Sequence, residues 1–254
     1  MTIVTPTSHL FEVSRQRLSI MEASDSLELR PERFNGSASL LKPVTHVHFS
    51  DPLIDINLSW SPLVQKWVED AVREFPSLET ASFHLSRDYT DVHFDELNRY
   101  IPFGKRMSEV EMLQNCTRNT TWLRSEFPHI DISIENVNYY PTGAYDSATD
   151  PRFIGKAIRE VGTNFLFDLA HAEVSAWNLA MPLADYCAGL PLDAVTQVSE
   201  PERAASNQRF LDEYIPEEMQ VDSGASAAPE AGLSADHGPA PGQQEEEEDE
   251  SDAE

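Results

Sequence analysis

Residues 150–168 read DPRFIGKAIREVGTNFLFD, and the order of features in them decides the fold. Asp150 is placed to accept a hydrogen bond from the first turn of a helix, and Pro151 to fill its first position, where a missing N–H costs nothing. Phe153, Ile154, Ala157, Ile158 and Val161 then recur at helical spacing and make one apolar face. Gly162 can take the left-handed conformation that stops a helix. A β-rich run, Asn164 to Asp168, follows at once. A helix that hands its chain directly to a strand is half of a βα unit, the building block of parallel sheets.

The same alternation runs through residues 44–200. Candidate strands are Val44–Phe49, Ala81–Leu85, Ile130–Glu135, Asn164–Asp168 and Ala194–Val198. Ser61 and Pro62 open a helix that places Leu63, Val64, Trp67, Val68, Ala71, Val72 and Phe75 on one face. Ser108 and Glu111 have the spacing of a capping box, at the head of a helix running toward Leu123. Leu10–Val13 and Leu27–Leu29 are candidate short strands in the first 43 residues. Such a succession closes as a (β/α) barrel or stays open as a doubly wound sheet. No Gly-x-Gly-x-x-Gly or Walker-type loop follows any strand, which argues against a nucleotide-binding sheet.

Composition narrows the classes further. A chain of 254 residues with 40% hydrophobic residues can bury a sizeable core. Its formal charge of −26 has the wrong sign for coating nucleic acid or an anionic membrane. The acidity is uneven: 13 of the 44 acidic residues fall in 217–254, and neither Lys nor Arg occurs beyond Arg209. That end is expected to be a disordered, solvating tail. No basic n-region and no long apolar run is present, so a cytoplasmic protein with no membrane span is expected. Cys116 and Cys187 are too few for a disulfide framework and read as ordinary reduced thiols. The sequons at Asn115 and Asn119 carry little weight without a secretory route.

Metal-competent side chains recur where the candidate strands end: His46 and His48, then His84, then Glu135 with Asn136 and Asn138, then Asp168 and His171. In a parallel fold these ends lie on one face, where active sites are built. Imidazoles mixed with carboxylates bind iron, manganese or zinc while leaving positions open for substrate. His46 and His48 are read here as pointing to opposite faces, with His48, nearer the strand's end, taken as the inward one. Each residue alone also fits a structural role: His84 as a core histidine, Glu135 as the partner of a buried cation. His9, His93, His129 and His237 lie in polar segments or outside the strands and are weaker candidates. Serine hydrolase chemistry lacks a Gly-x-Ser-x-Gly elbow, and no catalytic acid, base or nucleophile can be assigned.

Glu135-Asn136 at a strand end, followed after a helix by Leu166-Phe167-Asp168-Leu169-Ala170-His171-Ala172, resembles the multinuclear non-heme iron-dependent oxidative enzymes. Val47-His48-Phe49 and Ser82-Phe83-His84-Leu85 resemble that family's two earlier histidine strands. The resemblance covers about residues 44–200. It implies a xylose-isomerase-like TIM barrel holding one to three iron ions, or manganese or zinc in their place, which activates dioxygen to modify a peptide. It also implies a partner protein that presents the substrate. Carried over by position, His48, His84, Glu135, Asp168 and His171 would be metal ligands, with Asn136 and Asn138 as cofactor-site groups hydrogen bonding behind them.

The family continues with a further strand ending in His, an Asp-x-His strand and a late Glu. Here Ala194–Val198 passes into Ser199-Glu200 and a polar stretch. A partial or divergent barrel is therefore expected, and its exposed strand edges would call for a dimer or another chain. The expected organisation is an N-terminal segment with first barrel strands (1–43), a metal-binding βα-repeat region (44–200), a polar linker or short helix (201–216) and the acidic tail (217–254). Two other functions fit this pattern: a non-catalytic binding protein derived from the barrel, and a sugar-isomerase-like or hydrolytic metalloenzyme.

Overall fold

The computed structural model describes residues 2–7, 17–31 and 42–199. The expected strand at Leu10–Val13, the linker at 201–216 and the acidic tail at 217–254 lie outside the described residues. The elements are β1 (Val4–Thr7), α1 (Arg17–Ala23), β2 (Ser26–Leu29), β3 (Val44–Phe49), α2 (Pro62–Glu74), β4 (Thr80–His84), β5 (Tyr89–Phe94), β6 (Tyr100–Arg106) and α3 (Glu109–Glu126). They continue with β7 (Asp131–Glu135), α4 (Pro151–Val161), β8 (Asn164–Asp168), α5 (Leu169–Asn178), α6 (Leu183–Gly189) and β9 (Val195–Ser199).

Seven strands form one sheet in the order β1-β2-β3-β4-β7-β8-β9, every neighbouring pair parallel. Sequence order equals spatial order, so there is no point where the winding reverses. Right-handed crossovers then put all the intervening helices on one face, which is barrel rather than doubly wound topology. Among the described residues β1 and β9 pair only inward, so the barrel is partial. The antiparallel pair β5–β6 forms a separate hairpin between β4 and α3. No helix among the described residues is long and apolar enough to cross a membrane.

Register divides the side chains between the two faces. Val47, Phe49, Ala81, Phe83, Ile132, Ile134 and Phe165 are buried against the helices. Phe49 stacks on Phe83 at 4.9 Å, and Trp60 closes on Phe83 at 5.4 Å. Full burial of each such side chain contributes about 1.5–3 kcal/mol. The alternate positions, His48, Ser82, His84, Ser133, Glu135 and Asp168, are polar and share the opposite face. A parallel sheet normally has apolar residues on both faces. The polar inner face is the departure that makes room for chemistry.

The helices follow their sequence signals with one correction. In α4, Asp150 accepts from Arg152 N, Gly162 sits at φ 71, and all five expected apolar residues are buried. The capping box of Ser108 and Glu111 is present at the head of α3. In α2, Ser61 and Pro62 act as expected, but only Val68 and Val72 are buried, while Leu63 is 79% exposed. Trp67, at the margin of the stripe that meets the sheet, still meets Phe49 of β3 edge-on at 5.7 Å, whereas Leu63 lies about 140° around the helix from Val68 and falls off it. Asn115 and Asn119 of α3 are buried ties rather than surface groups. Asn119 Nδ2 donates to Ile56 O and Leu58 O (2.9 and 2.7 Å), and Asn115 Nδ2 to Asn57 O (3.0 Å). They pin the loop that leaves β3 above the sheet.

Candidate metal centre

The C-terminal ends of β3, β4, β7 and β8 bring His48, His84, Glu135, Asp168 and His171 together in two groups that share Glu135. In the first, His48 Nε2 stands 3.1 Å from His84 Nε2, and Glu135 Oε2 stands 3.2 Å from the former and 3.3 Å from the latter. In the second, His171 Nδ1 lies 3.4 Å from Glu135 Oε1 and 3.7 Å from Asp168 Oδ2. The two oxygens of one carboxylate thus face two different donor sets.

His46 corrects the expectation that it opposes His48. Two residues apart in one strand, they share a face. They differ in depth: His46 pairs in register with Thr80 at the bottom of β4, and His48 with Ser82 one step higher. His46 Nδ1 contacts Thr45 Oγ1 at 2.8 Å and takes no part in either group. His93 is on β5 and stacks on Phe103, and His129 is exposed, so neither joins the cluster. His9 and His237 lie outside the described residues.

The Asp-x-x-His spacing has a local cause. Asp168 ends β8 and is also the N-cap of α5, where its Oδ1 accepts from His171 N at 2.8 Å. An N-cap reaches the N–H three residues on, so capping itself fixes the imidazole beside the carboxylate. Asn136 fixes both from behind. Its Nδ2 donates to Asp168 O and its Oδ1 accepts from Asp168 N, each at 2.9 Å, while its own carbonyl takes His171 Nδ1–H at 2.8 Å. That last bond places a proton on Nδ1, so His171 could bind a metal only through Nε2, once that nitrogen gives up its proton. Asn138 points elsewhere, donating to the Tyr140 hydroxyl at 3.4 Å.

Two neighbours escaped the sequence reading. Ser82 Oγ donates to Val47 O at 3.4 Å and so accepts from His48 Nδ1–H at 2.9 Å, which leaves Nε2 as the lone-pair nitrogen facing Glu135. Glu28, in register with His46, accepts from Arg30 Nε at 3.1 Å and adds a carboxylate to the inner face. Burial pushes its pKa up. Strand alternation carried back from His84 would have found Ser82. Nothing in so short a strand as Ser26–Leu29 marks Glu28.

Charge in the cluster is sharply divided. Burial drives the His48 pKa down to about 3 against the pull of Glu135, so this imidazole is neutral and offers a lone pair. Burial works against the Glu135 anion, yet the imidazoles around it hold its pKa well below the usual carboxylate range. Burial also disfavours a charged His171, but Glu135, Asp168 and the Asn136 carbonyl outweigh it and raise this pKa to about 9. Glu135 Oε2 is buried and has no hydrogen-bond partner. Ligand atoms held about 2.1 Å from one cation stand about 3.0 to 3.4 Å apart. The His48, His84 and Glu135 atoms have this spacing, so the residues present fit a metal ion.

A parallel, partly closed barrel with a buried imidazole and carboxylate cluster at the strand ends defines the class. A model of the RiPP precursor modification enzyme family MbnB/TglH/ChrH matches residues 66–199, and the chain belongs to that family. No curated protein matches it. Among solved structures, a xylose isomerase domain containing protein from Salmonella typhimurium aligns at 12% identity over 78% of this chain and 72% of its own, with a TM-score of 0.51. A D-psicose 3-epimerase from Clostridium cellulolyticum aligns at 9% identity over 79% and 73%, with a TM-score of 0.49. At such identities the likeness is one of fold alone, the xylose-isomerase-like TIM barrel.

Proposed function

We propose that this chain is a metal-dependent oxidative enzyme, with iron as its metal, that modifies a peptide substrate. The observation that carries the reading is the buried Glu135, whose Oε2 stands 3.2 and 3.3 Å from the His48 and His84 nitrogens, the residues that would hold the metal, while its Oε1 faces His171. Iron held there would supply positions open to dioxygen. The chain's own residues do the rest. His48 offers a neutral nitrogen and His84 a second imidazole, Glu135 and Asp168 supply carboxylate oxygens, and His171 stands beside both carboxylates. Ser82 and Asn136 orient these groups, and outer hydrogen bonds of this kind tune a centre's affinity. Family membership supports a ribosomally made peptide as substrate. A partner protein that presents the peptide, and a second copy covering the open β1 or β9 edge, belong to the same reading.

The test is elemental mass spectrometry on anaerobically purified chain. At least one iron per chain is expected, falling more than tenfold in Glu135→Gln and His48→Ala and unchanged in His129→Ala. Metal retained by both site variants would remove the assignment. Zinc alone, with no dioxygen consumed in the presence of peptide, would move the chemistry to hydrolysis.

A further inference from the structure

The hairpin β5–β6 begins at Tyr89, five residues beyond His84, and among the described residues presents one unpaired edge. Asp95 N donates to Arg99 O at 3.0 Å and Asn98 N to Asp95 O at 3.0 Å, with Asn98 at φ 62, which closes a tight turn. Counting back from it, His93 with Ile101 and Asp91 with Phe103 exchange ladder hydrogen bonds, whereas Phe94 with Tyr100 and Val92 with Pro102 do not. Pro102 has no N–H to give, and Tyr100 N donates outward to the Tyr145 hydroxyl at 2.8 Å, as this phase requires.

The two edges differ. On β6 the outward groups of Tyr100 are taken, its N–H by Tyr145 and its carbonyl by Thr142 Oγ1 at 2.6 Å. On β5, Val92 N donates only to the carboxylate of its neighbour Asp91. Among the described residues no other residue meets the Val92 carbonyl or the Phe94 N–H and carbonyl. The faces beside this edge are apolar and open: Phe94 is 54% and Phe103 50% exposed, and His93 stacks on Phe103 at 4.2 Å.

An isolated hairpin is marginal in water, but this one is clamped at its base. The buried Asp88 carboxylate accepts from Ser147 N and Ala148 N and pairs with Arg106, while Asp88 N donates to Ala144 O and Met107 N to Asp88 O. Residues 144–148 belong to the loop that leaves β7 after Glu135. The free edge is therefore held rigidly by the two loops that follow His84 and Glu135.

We propose that the β5 edge at Val92 and Phe94 is the docking strand for the peptide substrate, which adds to the hairpin as a third strand and is led to the cluster. The proposal rests on the reading of this chain as a peptide-modifying enzyme. Backbone donors and acceptors at two-residue spacing complement another extended backbone, and the flanking aromatic groups receive alternate side chains. Charge does not oppose it. Within the hairpin Asp91, Asp95 and Glu96 are matched by Arg99, Lys105 and Arg106, in a chain of net charge −26.

The experiment selects peptides from a random twelve-residue display library on the full chain, then measures binding of the enriched, labelled peptide by fluorescence anisotropy. Phe94→Pro deletes the outward N–H without touching a ladder bond, and Phe103→Ser removes an apolar flank. Each should weaken binding at least tenfold, while His129→Ala, a change at an exposed position, leaves it within twofold. Phe94 amide exchange in the wild-type chain should slow at least tenfold on binding. Unchanged affinity in both hairpin variants, or no enriched peptide, overturns the proposal. Iron content read in parallel separates the two readings: iron without edge binding removes the docking strand alone, and edge binding without iron removes the oxidative chemistry alone.

Discussion

The side-chain amide of Asn136 and the backbone of Asp168 close a ring of two hydrogen bonds, each 2.9 Å long, between the ends of β7 and β8. The amide imitates one more residue of strand pairing just where the ladder stops. Both partners are buried, so nothing else satisfies these groups when the amide is removed.

Asn136→Ala is accordingly expected to cost about 2 to 4 kcal/mol of stability, the penalty for two unsatisfied buried backbone groups. Because the same side chain fixes the backbone of Asp168, whose carboxylate caps His171 N, metal affinity should also fall, by about 10- to 100-fold. Urea unfolding and metal titration of the variant check the two parts separately. A variant as stable as wild type would show that the ring does not hold the strand ends together.

Ser82→Ala should act on the metal with little effect on the fold. Its hydroxyl meets His48 Nδ1 at 2.9 Å and selects the tautomer that leaves Nε2 free beside Glu135. Loss of that selection is expected to weaken metal binding by about 10-fold or more, with the unfolding midpoint shifted little. Ser82→Thr retains a hydroxyl and should restore part of the affinity.

Asp55 gives a pH dependence whose sign is fixed. Burial raises its pKa from 3.8 to about 6 in the folded chain, with Arg87, His84 and Ser86 pulling the other way. The folded state therefore binds more protons than the unfolded state between those values. The stabilising contribution is fully present below pH 3.8 and is lost as pH rises through about 6. Asp55→Asn removes the titration and leaves the buried Arg87 without its anion, a cost that shifts the whole curve. Relative to wild type, the variant should gain at most about 3 kcal/mol between pH 4 and 7. Urea unfolding across that range measures the slope, and parallel curves would show that Asp55 titrates normally.

Several features were legible in the sequence because their signals are local. Asn164–Asp168 is a strand at its expected bounds, and Asp150, Pro151 and Gly162 delimit α4. The β5–β6 hairpin was not legible. Its turn, Asp95-Glu96-Leu97-Asn98-Arg99, contains no Gly, and Asn98 supplies the left-handed residue instead. The facing of His46 was misread although strand alternation determines it, whereas its depth below His48 depends on register with β4.

The sequence by itself determined that the strands are parallel, that imidazoles and carboxylates stand at their ends, and that Asp168 and His171 lie three residues apart where β8 ends. Each follows from spacing within a few residues, where backbone geometry leaves little choice. Only the tertiary structure decided that Glu135 faces two donor sets, that Ser82 and Asn136 orient them, and that one hairpin edge is left free. Those relationships join residues 32 to 36 positions or more apart. They are set by strand register and loop packing, which no local pattern encodes.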